Sequence, residues 1–177
     1  MAEQKDEWLE PLAGWLRRIE TSSEPLQLIP PFIPAESAIL MSGKAKRGFK
    51  SWLAFLMSIC VASGKTAALL KPSGVHPVLF IEEEGARKPT ARRFRWLEKA
   101  HGIDIAKDCE GRFWWAHRQH VLLDDSKWIS RIASEIRDKG IRLVVVDTLA
   151  KASSAEENSA TDISHLMRSI DRLRDAG

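Results

Sequence analysis

Apolar positions along this chain follow two rhythms, short unbroken runs and stripes at three- and four-residue spacing, and the two alternate from the middle of the chain to its end. Unbroken runs of four or five predict strands covered on both faces, and the stripes predict amphipathic helices. Trp8, Leu12, Trp15, Leu16 and Ile19 fall on one helical face, with Pro11 tolerable in the first turn. Residues 21–34, rich in Ser and Pro, predict an extended connector. Ala38, Ile39, Leu40 and Met41 predict a first buried strand, and the apolar run over residues 52–62 predicts a helix buried on all sides.

The rhythm then repeats. Val78, Leu79, Phe80 and Ile81 predict a strand that ends in Glu82, Glu83, Glu84 and Gly85. Pro89 suits the opening of a helix that turns Phe94, Leu97 and Ala100 inward and its arginines outward. Residues 113–116 predict a further strand, and Asp125 or Ser126 caps a helix whose inner face is Trp128, Ile129, Ile132, Ala133 and Ile136, closed by Gly140. Leu143, Val144, Val145 and Val146 lead into Asp147 as the clearest strand of the chain. After a polar stretch over residues 153–158, Ile163, Leu166, Met167, Ile170 and Leu173 mark a last helix. Strands alternating with helices predict an α/β fold with a mainly parallel sheet flanked by helices. The division expected is a helix and Pro-rich connector over residues 1–34, then one core over residues 35–177.

At 177 residues the chain suffices for one domain with a core of its own. The net charge of +3 says little about partners, because 27 basic residues are nearly balanced by 24 acidic ones. Local clusters say more: Lys44, Lys46, Arg47 and Lys50 crowd one stretch, and Arg87, Lys88, Arg92, Arg93 and Arg95 another. The second cluster reads either as a solvated helix face or as contacts to phosphates. Cys60 and Cys109 have neither zinc spacing nor a disulfide framework, which points to a reducing, cytoplasmic setting. No segment resembles a secretion signal, and no apolar run approaches the roughly 20 residues that cross a bilayer, so no membrane partner is expected. His117 and His120 show no metal spacing and no carboxylate partner. Trp8 and Trp15 are expected to dock the first helix on the core and Trp114 or Trp115 to be interior; stacking of Trp96 or Trp114 on bases is the less favoured alternative.

The candidate chemistry begins after residues 38–41, where Gly43 and Gly48 lie in a basic loop that ends in Phe49, Lys50 and Ser51 and runs into a helix. Backbone N–H groups of such a loop, with the helix N-terminus, surround phosphates. A Lys reaches the β- and γ-phosphates, and a Ser hydroxyl takes Mg²⁺. The usual spacing is G-x-x-x-x-G-K-[ST]; here Phe49 is one residue extra, or stands where the second Gly should be. At the tight turn, Phe49 needs a backbone shape that Gly adopts more cheaply. In a parallel sheet, ligands sit outside the carboxyl ends of the strands, so the Lys50 loop, residues 82–84 and Asp147 should converge. Asp147 suits Mg²⁺, and a neighbouring acid suits orienting or deprotonating a water.

Taken in order, the loop through Lys50, Ser51 and Trp52, the strand ending in Glu82, Glu83 and Glu84, the strand ending in Asp147, Thr148 and Leu149, and the stretch from Glu156 to Ala160 resemble the RecA-like AAA ATPases of the RepA and DnaB helicase group. The resemblance runs from about Phe32 to the end. It implies a RecA-like P-loop core binding ATP and Mg²⁺, with Gly43, Lys46, Gly48, Phe49, Lys50, Ser51 and Asp147 around the nucleotide. By the same resemblance Lys50 and Ser51 match the Walker A lysine and hydroxyl and Asp147 the Walker B aspartate, while Glu84 activates water, or Glu83 if the register shifts by one. A ring hexamer moving on single-stranded DNA in replication is implied, with residues 87–95 serving as an arginine-finger region or a DNA contact. Members continue into further core strands after the last helix, whereas this chain stops at Asp175, Ala176 and Gly177, so the last strands are expected to be missing. The competing readings are a nucleotide- or DNA-binding regulator or loader with little ATPase activity, and, ranked last, a small-molecule kinase.

Overall fold

A computed structural model describes residues 9–22, 26–43, 49–154 and 159–177. Its elements in chain order are α1 (Leu12–Glu20), β1 (Gln27–Ile29), β2 (Ile33–Pro34), α2 (Lys50–Ser63), β3 (Val78–Glu82), α3 (Arg87–His101), α4 (Ile105–Asp108), β4 (Phe113–His117), α5 (Ser126–Lys139), β5 (Leu143–Asp147) and α6 (Ala160–Arg174).

The run from Val78 to Glu82 becomes the middle strand of a three-stranded sheet in the order β4-β3-β5, and all five of its residues are buried. Both pairings are parallel, as helical connections require. Val78 stands opposite Phe113 and Leu143, and Glu82 stands opposite His117 and Asp147. Because side chains alternate, Val78 and Phe80 face one core with Phe113, Leu143 and Val145, against α2, α3 and the β1–β2 hairpin. Leu79 and Ile81 face a second core with Ala116, Val144 and Val146, against Ile129, Ile132 and Ile136 of α5 and Leu166 and Leu173 of α6. The molecule is thus an α/β domain with a parallel sheet between two helical layers.

The direction of α2 decides where Lys50 goes. Val61, near the end of α2, accepts from His76 N, just before β3, and Ala62 O accepts from Arg112 Nε, just before β4. The end of α2 therefore lies at the amino ends of the strands. Fourteen helical residues span about 21 Å and five strand residues about 17 Å, so the start of α2 reaches the carboxyl ends. Gly64 closes the helix at φ +71°, where a side chain would strain the backbone.

Several expectations are corrected. Residues 38–41 form no strand; Ile39 and Leu40 are exposed, and β5 pairs only with β3 among the described residues. Paired apolar residues are a weak strand signal without a neighbour to complete the ladder. The extended connector holds a small antiparallel hairpin, β1–β2, whose Leu28, Ile29 and Ile33 are buried in the first core. Helix α1 forms with Pro11 at its cap, but Leu12, Trp15, Leu16 and Ile19 are exposed, so Trp15 does not dock it; Trp8 lies outside the described residues. Ala100, Ile163 and Met167 are exposed rather than inward. Leu53 is likewise exposed, so α2 is buried on most of its surface but not all round. Neither Trp114 nor Trp115 is fully interior. Asp125 caps α5, accepting from Lys127 N at 2.8 Å. Both cysteines are free and buried, and burial pushes each thiol up to about 11.

Candidate active site at the carboxyl ends of the strands

Three parallel strands in register bring their last residues into one row, and here that row is His117, Glu82 and Asp147. A residue that ends the covered central strand is itself covered, so Glu82 is 1% exposed. Burial, opposed by His117, by a hydrogen bond from Gly85 N–H and by Arg93, and reinforced by Asp147, holds its carboxyl above the usual glutamate range.

The turn after Glu82 is pinned on both sides. Glu83 N donates to Asp147 O at 2.8 Å, and Arg118 N donates to Glu82 O at 2.7 Å, tying it to both neighbouring strands. Gly85 N–H donates to the Glu82 carboxylate, and Gly85 O accepts from His117 Nε2 at 3.0 Å. The same Nε2 lies 3.3 Å from Glu82 Oε2. A Cβ on Gly85 would fall 1.7 Å from Glu82 Oε1 and 2.7 Å from Thr90 Oγ1, so only glycine fits. The Glu83 carboxylate accepts from His120 N at 3.1 Å and Val121 N at 3.0 Å. Glu84, between these anchors, is exposed. Three polar atoms around this turn, Glu82 Oε2, Thr90 Oγ1 and His117 Nδ1, are buried without a hydrogen bond.

On the other side, Lys50 opens α2, and its Nζ donates to Gly43 O at 2.7 Å, closing the loop's two ends on each other. Phe49 takes φ 50° and ψ 18°, the left-handed shape expected of the tight turn, and is 76% exposed. Ser51 is half-buried in the first turn of α2. Asp147 is half-buried at the end of β5, followed by a cis peptide to Thr148. Gly43 is exposed; Lys46 and Gly48 lie outside the described residues.

Lys50, Ser51, Glu84 and Asp147 thus all belong to segments that end or begin at the carboxyl side of the sheet. Glu83 is committed to holding the loop after β4. The expectation that His117 lacks a carboxylate is corrected, since Glu82 lies beside it, and His120 is held through its backbone by Glu83. Glu82, Gly85, Thr90 and His117 were not singled out for this role in the sequence; the signal was the acid that directly continues a fully covered strand. Trp96, considered for base stacking, instead stacks on Trp52 at 5.7 Å between ring centres. No cluster of three His, Cys, Asp or Glu able to hold a metal occurs among the described residues.

A parallel α/β sheet whose carboxyl ends meet a lysine at a loop-to-helix junction defines the class of P-loop nucleotide-binding proteins. A family model described as AAA domain matches residues 5–177. The chain belongs to that family of ATPase domains. No curated protein matches the chain.

Proposed function

We propose that this domain binds ATP with Mg²⁺ at Lys50, Ser51 and Asp147 and hydrolyses it, as a DNA-associated motor of the RepA type. The observation that carries this reading is the direction of α2, which brings its lysine and hydroxyl to the rim where β5 ends in Asp147. The donor set fits the ligand: an ammonium for phosphate oxygens, and a hydroxyl and a carboxylate, both hard oxygen donors, for Mg²⁺. When bound, Mg²⁺ neutralises charge on the phosphates. Lys50 supplies positive charge at the mouth of α2, whose N-terminal N–H groups add to it. Glu84, exposed on a turn anchored at Glu82, Glu83 and Gly85, holds the attacking water and takes its proton. Single-stranded DNA and a ring of identical subunits belong to this proposal as the substrate track and the assembly. No described helix is long and apolar enough to cross a membrane.

A second reading, a nucleotide- or DNA-binding regulator with little turnover, is favoured by residues 38–41, which stand outside the sheet next to the phosphate loop. Steady-state ATPase measurements with and without single-stranded DNA, on wild type, Lys50→Ala and Glu84→Gln, test both. DNA-stimulated turnover lost in both variants supports the motor. ATP binding without turnover in the wild type supports the regulator, and absence of ATP binding overturns both.

A further inference from the structure

Beside the β3–β4 exits lies a second pocket that Gly43, Lys50, Ser51 and Asp147 do not line. It has two neighbouring parts, both lined by Arg87 and His117. One is a basic cavity of about 400 Å³ lined by Ala86, Arg87, His117, Arg118 and His120. The other is a groove of about 510 Å³ whose walls include Phe94, Phe113 and Trp115, with Thr90, His117 and Gln119 as polar points. Both volumes lie within the roughly 300–1,000 Å³ of small-molecule sites.

The basic part is built and held. Arg118 and His120 sit in the left-handed region at φ 50° and 56°, a backbone cost that non-glycine residues bear chiefly where surrounding structure enforces it. The enforcing contacts are Arg118 N to Glu82 O and the Glu83 carboxylate on His120 N and Val121 N. Arg87 reaches the same cavity from the first turn of α3. Neither Arg87 nor Arg118 makes an ion pair among the described residues, and both line a cavity whose lining includes no Asp or Glu.

The groove supplies the complementary chemistry. Trp115 is fixed edge-on to Phe94 at 5.2 Å and stacked on Phe80 at 4.9 Å, yet 36% of it remains exposed. Thr90, 3% exposed, His117 and Gln119 are, with Arg87, the groove's polar side chains. A planar aromatic wall beside paired guanidinium groups matches a base joined to a phosphate.

We propose that this pocket binds one nucleotide unit, with its phosphate on Arg87 and Arg118 and its base against Trp115 and Phe113. A free mononucleotide and one residue of a single-stranded nucleic acid present the same chemistry. The site stands apart from the Lys50 reading and survives if that reading fails.

Fluorescence anisotropy of two probes, fluorescein-labelled oligothymidylate and N-methylanthraniloyl-AMP, tests it in a Lys50→Ala background that silences the loop. Arg87→Ala with Arg118→Gly should weaken binding on the order of tenfold or more and lower the salt dependence of oligothymidylate binding by about one to two phosphate contacts. Weakening for both probes supports the site with free nucleotides as ligands; weakening for oligothymidylate alone supports it with a single strand as the source. Arg118→Gly tested singly guards against misfolding, because glycine adopts φ 50° without steric cost, and it too should weaken binding. Unchanged affinity for both probes in the folded variants, or no binding of either probe by the Lys50→Ala protein, overturns the proposal.

Discussion

The two halves of the candidate active site are built in opposite ways. Around Glu82 the backbone is tied to both neighbouring strands, the acid is buried, and even a methyl group on Gly85 has no room. Around Lys50, residues 38–43 are exposed, Phe49 is exposed, and the lysine's Nζ donates to Gly43 O. The half that would handle water is fixed by packing in the interior, and the described residues of the half that would grip phosphate lie at the surface. Pre-organisation matters most where reacting groups must be held to fractions of an ångström, as where a water is positioned for attack.

This contrast predicts effects of decreasing size. Glu84→Gln should lower the ATPase kcat by about 10²–10⁴-fold while ATP affinity stays within a few-fold, measured by steady-state kinetics and equilibrium binding. A fall in affinity with kcat unchanged would reverse the roles of the two halves. Gly85→Ala should cost about 1–3 kcal/mol in denaturant unfolding, because its Cβ displaces the Glu82 carboxylate. An equivalent Gly43→Ala change, with Lys50 atoms no nearer than 3.9 Å, should cost far less. Phe49→Gly should stabilise the fold by up to about 1–2 kcal/mol by relieving the left-handed backbone at φ 50°, offset in part by the freedom glycine gains when unfolded.

The smallest effect is one of pH. The Glu82 carboxyl is raised in the folded protein chiefly by burial. Its contribution to stability is therefore full below its unfolded value and is lost as pH rises through the folded one. Thermal melting should show wild type losing stability relative to Glu82→Gln as pH climbs from the ordinary glutamate range toward neutrality. A difference that is constant with pH would mean that this carboxyl titrates as it does in the unfolded chain.

How much of this was legible in the sequence follows from how each element is stabilised. β3 and β5 were plain, because strands covered on both faces must be unbroken apolar runs, and α5 was plain because Asp125, its apolar stripe and Gly140 all agree. The hairpin of β1 and β2 was hidden, since Leu28, Ile29 and Ile33 are separated by prolines that read as a connector. Residues 38–41 misled for the reverse reason: they have the composition of a strand, but pairing depends on a neighbour rather than on local preference. At the site, Lys50 and Asp147 could be found by their positions after a loop and a strand. The buried state of Glu82 and its approach to Gly85 and His117 depend on register between strands far apart in sequence, which no local pattern encodes.

The central claim is that groups from α2 and β5 hold one metal-bound polyphosphate, and calorimetric titration of ATP with and without Mg²⁺ tests it most directly. For wild type, the account predicts ATP binding strengthened by Mg²⁺, and for Asp147→Asn binding in which that strengthening falls on the order of tenfold. Mg²⁺-dependent affinity that survives unchanged in Asp147→Asn would contradict it.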